Sequence, residues 1–211
     1  MRLHALARVK NEGDIIEEFV RHTLRLVDAL IVVDNASFDG TLSVLEALRG
    51  EGLPLTILHD PALPKRQYET VTRVARQSVA DADWDFLFLL DADEFLKVTD
   101  RDRLERALAE LSPGQNGLLA WESYVPTALD VSEDPRILNR IQYRRAVEAN
   151  PTIYKSVLSR RFADVGDFTV SQGNHAVYDS RGVALAAVLD KVRLAHFPVR
   201  SMVQLQSKVL V

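Results

Sequence analysis

Two carboxylates stand one residue apart at Asp91 and Asp93, directly behind the apolar run Phe86–Leu90. On extended backbone, residues i and i+2 point the same way, so the pair can face one ion or one ligand together. Side by side they repel unless a cation sits between them. Two capping acids at a strand-to-helix turn would leave the same pattern, but Glu94 adds a third acid that capping does not require. His175 and His196 each follow a short apolar stretch, where a metal ligand or a hydrogen-bonded structural histidine can sit. Asn11, Asp34 and Asp39 fall where apolar runs stop, and these residue types serve turns as readily as ligands.

The elements that must carry these residues alternate. Leu3–Val9 reads as a strand, Asp14 with Glu17 as the start of a helix, and Ile16, Val20, Leu24 and Val27 as its apolar stripe. Ala29–Val33 and Leu55–Leu58 are further strands, Leu42–Arg49 and Lys65–Val79 helices, and Phe86–Leu90 the most strand-like run of all. Thr99 with Asp102 makes a capping box ahead of Leu104, Ala107, Leu108 and Leu111. Short apolar strands separated by helices predict an α/β fold with a mostly parallel central sheet flanked by helices. The polar clusters at Lys10–Glu12, Asp34–Asp39, His59-Asp60 and Asp91–Glu94 then share the carboxyl edge, where open α/β sheets hold ligands. Beyond Pro113, strands are expected at Leu118–Tyr124, Tyr154–Leu158 and Leu194–His196, with a second capping box at Ser201 and Gln204. The last helix runs to Val211 without a stop signal, so the expectation is a chain cut from a longer one.

The 211 residues, 47% apolar, suit one domain, whose strand–helix alternation changes after residue 112. A net charge of −4 argues against nucleic acid as the main partner. With no cysteine, any metal is held by carboxylate and imidazole, which favours Mg²⁺ or Mn²⁺. No apolar run reaches the length of a transmembrane segment, and the N-terminus has no signal-peptide core, so a cytoplasmic location is expected.

An aspartyl-phosphate phosphatase would want Thr or Val where Phe95 stands, and a later Asp-Asp pair that is not found. Arg8-Val-Lys-Asn-Glu12, Ile31-Val-Val-Asp-Asn-Ala-Ser-Phe-Asp-Gly-Thr41 and Asp91-Ala-Asp-Glu-Phe95 together resemble family 2-like glycosyltransferases of the GT-A fold, in a bacterial branch with this form of DxD motif. Gly173-Asn-His175 and Ala195-His-Phe-Pro-Val-Arg-Ser201 resemble the tail of that branch. The resemblance spans nearly the whole chain and is weakest across residues 125–150.

It implies a metal-dependent, inverting transfer of sugar from a nucleotide-diphosphate donor, commonly a UDP-sugar, to a glycan or lipid-linked acceptor, as in polysaccharide biosynthesis, with residues 1–112 as the nucleotide-sugar-binding half, 113–211 completing the metal and acceptor sides, and the protein peripheral to the inner membrane through its acceptor. It assigns Asn11, Asp34, Asp60, Arg66 and Gln67 to the nucleoside pocket, Asp91 to the ribose, and Asp93 and His196 to a divalent ion, Mn²⁺ or Mg²⁺. Lys155 or an arginine of the 136–145 cluster can assist the departing diphosphate, and Trp121 and Tyr124 can stack on sugar. The family's Glu-Asp pair has no match, which leaves Glu122, His175 and Asp167 as candidates for the base. A sugar-phosphate nucleotidyltransferase, which would need a glycine-rich loop after the first strand, and a non-catalytic nucleotide-sugar-binding domain stay open as alternatives.

Overall fold

The computed structural model describes residues 1–61, 67–130, 134–148, 152–164 and 166–209, with the side chains of the last helix described to Gln206. The elements run β1 (Leu3–Val9), α1 (Ile16–Thr23), β2 (Ala29–Asp34), α2 (Thr41–Gly50), β3 (Leu55–His59), α3 (Gln67–Asp81) and β4 (Phe86–Leu90). Then come β5 (Glu94–Lys97), α4 (Arg101–Ala109), β6 (Asn116–Ser123), α5 (Ile137–Arg140), β7 (Tyr154–Ser159) and α6 (Arg160–Ala163). The short strands β8 (Thr169–Val170), β9 (Val177–Asp179) and β10 (Gly182–Val183) precede the long β11 (Ala186–His196) and α7 (Met202–Val209).

Eight strands form one sheet in the order β3-β2-β1-β4-β7-β6-β11-β5. β1 to β4 are parallel, as the alternation predicts, and β6 is parallel to β11. β7 runs antiparallel between β4 and β6, and β5 antiparallel against β11, so the sheet is mixed and mostly parallel. β4 shows why its sequence is apolar on every residue: Phe88 and Leu90 join a core with α1, α2 and α4, while Leu87 and Leu89 join a second core with α3 and α6. β8 to β10 form a small separate sheet that closes the second core through Val170 and Val177. No helix among the described residues is long and apolar enough to cross a membrane.

Two helix starts differ from the expected ones. Asp100, not Thr99, caps α4, its extended backbone letting the carboxylate accept from the Arg103 N–H at 2.8 Å. Asp14 caps nothing: α1 opens with the Ile15 and Ile16 N–H groups on the Glu12 carbonyl, and Asp14 is drawn to Arg200. The second capping box forms by half: the Gln204 N–H donates to Ser201 Oγ at 3.0 Å, while the Gln204 side chain accepts from the N–H of Arg200, the residue before the cap.

Candidate functional site

The carboxyl ends of β1, β2, β3 and β4, the start of β7 and the ends of β6 and β11 share one edge of the sheet. At the β1–α1 junction Asn11 adopts φ 54°, accepts the Phe38 N–H at 3.0 Å and donates its own N–H to Ser37 Oγ at 2.9 Å, locking the first two loops together. Asp39 takes the turn role, accepting from the Gly13 N–H and from Thr41. Asp34 is 2% exposed. One of its oxygens accepts from the Ser37 N–H at 3.3 Å, and the other, Oδ1, is buried without a hydrogen-bond partner among the described residues. Asp60, also buried, accepts from Arg8 Nε at 3.1 Å and Thr70 Oγ1 at 2.8 Å, while Arg8 Nη2 has no hydrogen-bond partner among the described residues. A buried acceptor and a buried donor left unmatched at a strand edge are costly in an empty protein and suit a polar ligand. Arg66 lies outside the described residues.

The Asp91–Glu94 segment is not extended. The Glu94 N–H closes a turn onto the Asp91 carbonyl at 3.1 Å, and the Glu94 carboxylate accepts the Asp91 N–H at 2.9 Å. The shared direction expected of i and i+2 is therefore lost, and the two aspartates part. Asp91 turns to Lys155 Nζ at 2.5 Å and to Gln67 Nε2 at 3.2 Å. Asp93, 6% exposed, turns the other way, its Oδ1 3.9 Å from His196 Nε2 and its Oδ2 3.7 Å from Arg200 Nη1. The β5–β11 pairing, which sets His196 opposite Glu94, together with the Phe197 N–H bond to the Asp93 carbonyl at 2.9 Å, fixes this approach.

Lys155 points inward rather than toward the open edge. It is fully buried, bridges Asp91 and Glu94 (3.2 Å), and lies 5.8 Å from the Trp121 ring. Burial alone would pull its ammonium down, but the two carboxylates outweigh burial and raise it. Burial, the largest influence on Glu94, overcomes the attraction of Lys155 and, with the Asp91 and Asp93 charges, pushes that carboxyl up to about 8. Arg200 is a second buried cation. It meets Asp14 through Nε and Nη2, both at 2.8 Å, and Glu12 through Nη2 at 2.5 Å, tying the segment after β11 to the β1–α1 loop.

The remaining candidates separate. Trp121 stacks on His196 at 4.0 Å, and His175 meets the same indole edge-on at 5.6 Å. His175 Nδ1 donates to the Tyr154 carbonyl at 2.8 Å, which fixes the orientation of the ring. That ring fills the space over Gly173, at φ 72°, where a Cβ would come within 2.5 Å of Nε2. Glu122 alternates to the other face of β6, held by Lys97 at 2.5 Å and Arg144 at 3.0 Å, and Tyr124 stacks on Phe197 there. Asp167 is exposed beside Arg76, lining a cavity with Pro113, Gly114 and Arg161 at the opposite edge of the sheet.

Among the described residues no three His, Asp or Glu side chains converge to hold an ion by themselves. Asp93 and His196 are nevertheless close enough to share one: two ligand atoms each about 2.1 Å from an ion stand at most about 4.2 Å apart. A hard ion of this kind takes few protein ligands when substrate phosphates supply the rest.

No family model matches the chain, and no curated protein matches it. Solved structures do. GalNAc-T7 with UDP, GalNAc and Mn²⁺ superposes over 96% of this chain and 44% of its own, at 12% identity and a TM-score of 0.59. S. aureus TarS 1-349 in complex with UDP superposes over 93% of this chain and 60% of its own, at 16% identity and a TM-score of 0.55. The mannosyltransferase PcManGT from Pyrobaculum calidifontis, in complex with GDP-Man and Mn²⁺, is 25% identical over 59% of this chain and 36% of its own, with a TM-score of 0.43. The chain thus spans between 36 and 60% of the length of these three proteins. The fold it shares with GalNAc-T7 and TarS is GT-A-like, a mixed and mostly parallel sheet flanked by helices.

Proposed function

We propose that the chain is a metal-dependent glycosyltransferase, moving a sugar from a nucleotide-diphosphate donor, a UDP-sugar by preference, to a hydroxyl of a glycan or lipid-linked acceptor. The observation that carries this is the pairing of buried Asp93 with His196 at the carboxyl edge of a GT-A sheet, beside an Asp91 turned away to Lys155. Asp93 and His196 would hold Mn²⁺ or Mg²⁺, which when bound would neutralise charge on the departing diphosphate.

The chain's own residues supply the rest. Asn11 shapes the nucleoside pocket by fixing the loop after β1. Asp34, with its unmatched oxygen, and Asp60, paired with Arg8, offer the acceptor and donor edges that a ribose and a pyrimidine base require. Gln67 and Asp91 close the pocket on the side of α3, and Arg66 belongs there by sequence. The Lys155 bridge keeps Asp91 in place, so the motif offers the ion one carboxylate and the donor another. Arg200 adds positive charge behind Asp93. Of the three sequence candidates for the base, His175 stands beside Trp121 at the site, whereas Glu122 is neutralised on the other face and Asp167 lies at the far edge. We read the transfer as a single inverting displacement.

Release of UDP from UDP-glucose, UDP-galactose and UDP-N-acetylglucosamine, followed with and without Mn²⁺, tests this reading. Metal-dependent release from one of them is expected, and the Asp93→Ala variant should lose it. Release by neither protein, with no nucleotide bound, would leave a domain that only shares the fold.

A further inference from the structure

A cavity of about 320 Å³ opens beside the Asp93–His196 pair, within the range of small-molecule sites. Trp121, Ile153 and Val199 give it apolar walls, and His196, Arg145 and Glu148 its charge and polarity. Glu148 is half-buried there, and both its oxygens are aimed by one residue. Oε1 accepts the Ser123 N–H at 2.6 Å, and Oε2 accepts the Ser123 hydroxyl at 2.9 Å. Ser123 is the β6 residue directly opposite His196 in the β6–β11 register, so this carboxylate is anchored next to the proposed ion ligand. It lies on the Trp121 face of β6, the face that Glu122 does not share. Each carboxylate oxygen can accept more than one hydrogen bond, so the Ser123 contacts orient the group without using it up.

We propose that Glu148 is the catalytic base and that this cavity receives the acceptor hydroxyl. The assignment rests on the glycosyltransferase reading of the site. In the step, the acceptor O–H gives its proton to a Glu148 oxygen while the acceptor oxygen forms the new bond to C1 of the donor sugar. The C1–O bond to the β-phosphate breaks, and its electron pair leaves with the nucleoside diphosphate. Ser123 holds the carboxylate in place through two donated hydrogen bonds, and Trp121 offers its ring to the apolar face of a sugar.

The test uses the full chain with Mn²⁺ and the UDP-sugars above, water serving as acceptor. Glu148→Gln keeps the shape and, since the Ser123 hydroxyl can rotate to accept, the contacts as well. UDP release is expected to fall by on the order of 10²–10⁴-fold with the dissociation constant for UDP and Mn²⁺ unchanged within about twofold. Glu148→Ala should regain rate in added formate, which a purely structural role would not allow. Wild-type rate in Glu148→Gln overturns the assignment, as does loss of UDP binding in that variant or a Glu148→Ala rate indifferent to formate. A wild-type chain that binds UDP yet releases none from any of the sugars overturns it too, since an aimed base would activate water, and leaves the donor site standing. A wild-type chain that binds no nucleotide overturns the donor reading itself.

Discussion

Lys155 Nζ lies 2.5 Å from Asp91 Oδ2, a bond between the start of β7 and the end of β4 that also takes in the fully buried Glu94. The carboxylate pair that the sequence presents as one ligand is thus divided. One member is held by a resident ammonium, and the other faces His196. The division makes the turn after β4 depend on a cation supplied 64 residues later.

Replacing Lys155 with Met should therefore leave the Asp91 carboxylate and the buried Glu94 carboxyl without their shared cation. Breaking such a pair costs about 3–5 kcal/mol, and the lower end applies because Asp91 is partly exposed. The thermal midpoint should drop by roughly 6–12 °C. Adding Glu94→Gln to that variant should recover part of the loss, since no ionisable acid is then buried beside the methionine. Thermal unfolding of the four proteins of the cycle measures both effects, and strictly additive losses would count against the bridge.

Glu94 gives the stability a pH dependence of definite sign. Its carboxyl titrates near 8 when folded and near the ordinary 4.5 when unfolded. Between those values the folded state holds a proton that the unfolded state has released, so stability falls as pH rises. The contribution is fully present below about 4.5 and gone above about 8. Urea midpoints of the wild type should decline relative to Glu94→Gln from pH 5 to pH 8. Parallel curves would mean that Glu94 is charged throughout.

Gly173→Ala should be damaging for a reason local to His175. The new Cβ would sit 2.5 Å from the imidazole Nε2, on a backbone at φ 72°. Left-handed strain for a non-glycine residue costs on the order of 1 kcal/mol or more, and the ring must also leave its place against Trp121. Denaturant unfolding should show a loss of about 1–3 kcal/mol, whereas Gly166→Ala, with no neighbour within 4 Å of the added Cβ, should show only the backbone part.

Arg200→Lys keeps the charge but not the planar fork that meets Asp14 through two nitrogens and Glu12 through one. With at least one charge-assisted bond lost in a buried setting, a destabilisation of about 1.5–3 kcal/mol is expected. Urea unfolding checks it, and an unchanged midpoint would show that the segment after β11 is held by other contacts.

Much of the fold is legible because apolar runs such as Phe86–Leu90 admit only a strand buried on both faces, and because turn residues mark where each run ends. The site is less so. The i, i+2 rule assumes extended backbone, and the hydrogen bonds between Asp91 and Glu94 make a turn instead. Lys155 does carry a signal, a lysine within the run Tyr154–Leu158, and such a residue needs a buried partner; a role beside the departing diphosphate does not by itself foretell the bridge to Asp91 and Glu94. Arg200 and Glu148 carry none, for their partners Glu12, Asp14 and Ser123 are brought near only by the order of strands in the sheet. Glu122 shows the opposite case: its place on β6 is the expected one, and its side chain lies on the face away from Trp121, paired with Lys97 and Arg144.

The central claim is a donor site completed by an ion on Asp93, and nucleotide binding tests it most directly. Calorimetric titration of UDP and GDP, with and without Mn²⁺, into wild type and Asp93→Ala should show metal-dependent binding, UDP the tighter, in the wild type only. Equal binding by both proteins, or none by the wild type under any metal condition, would contradict it.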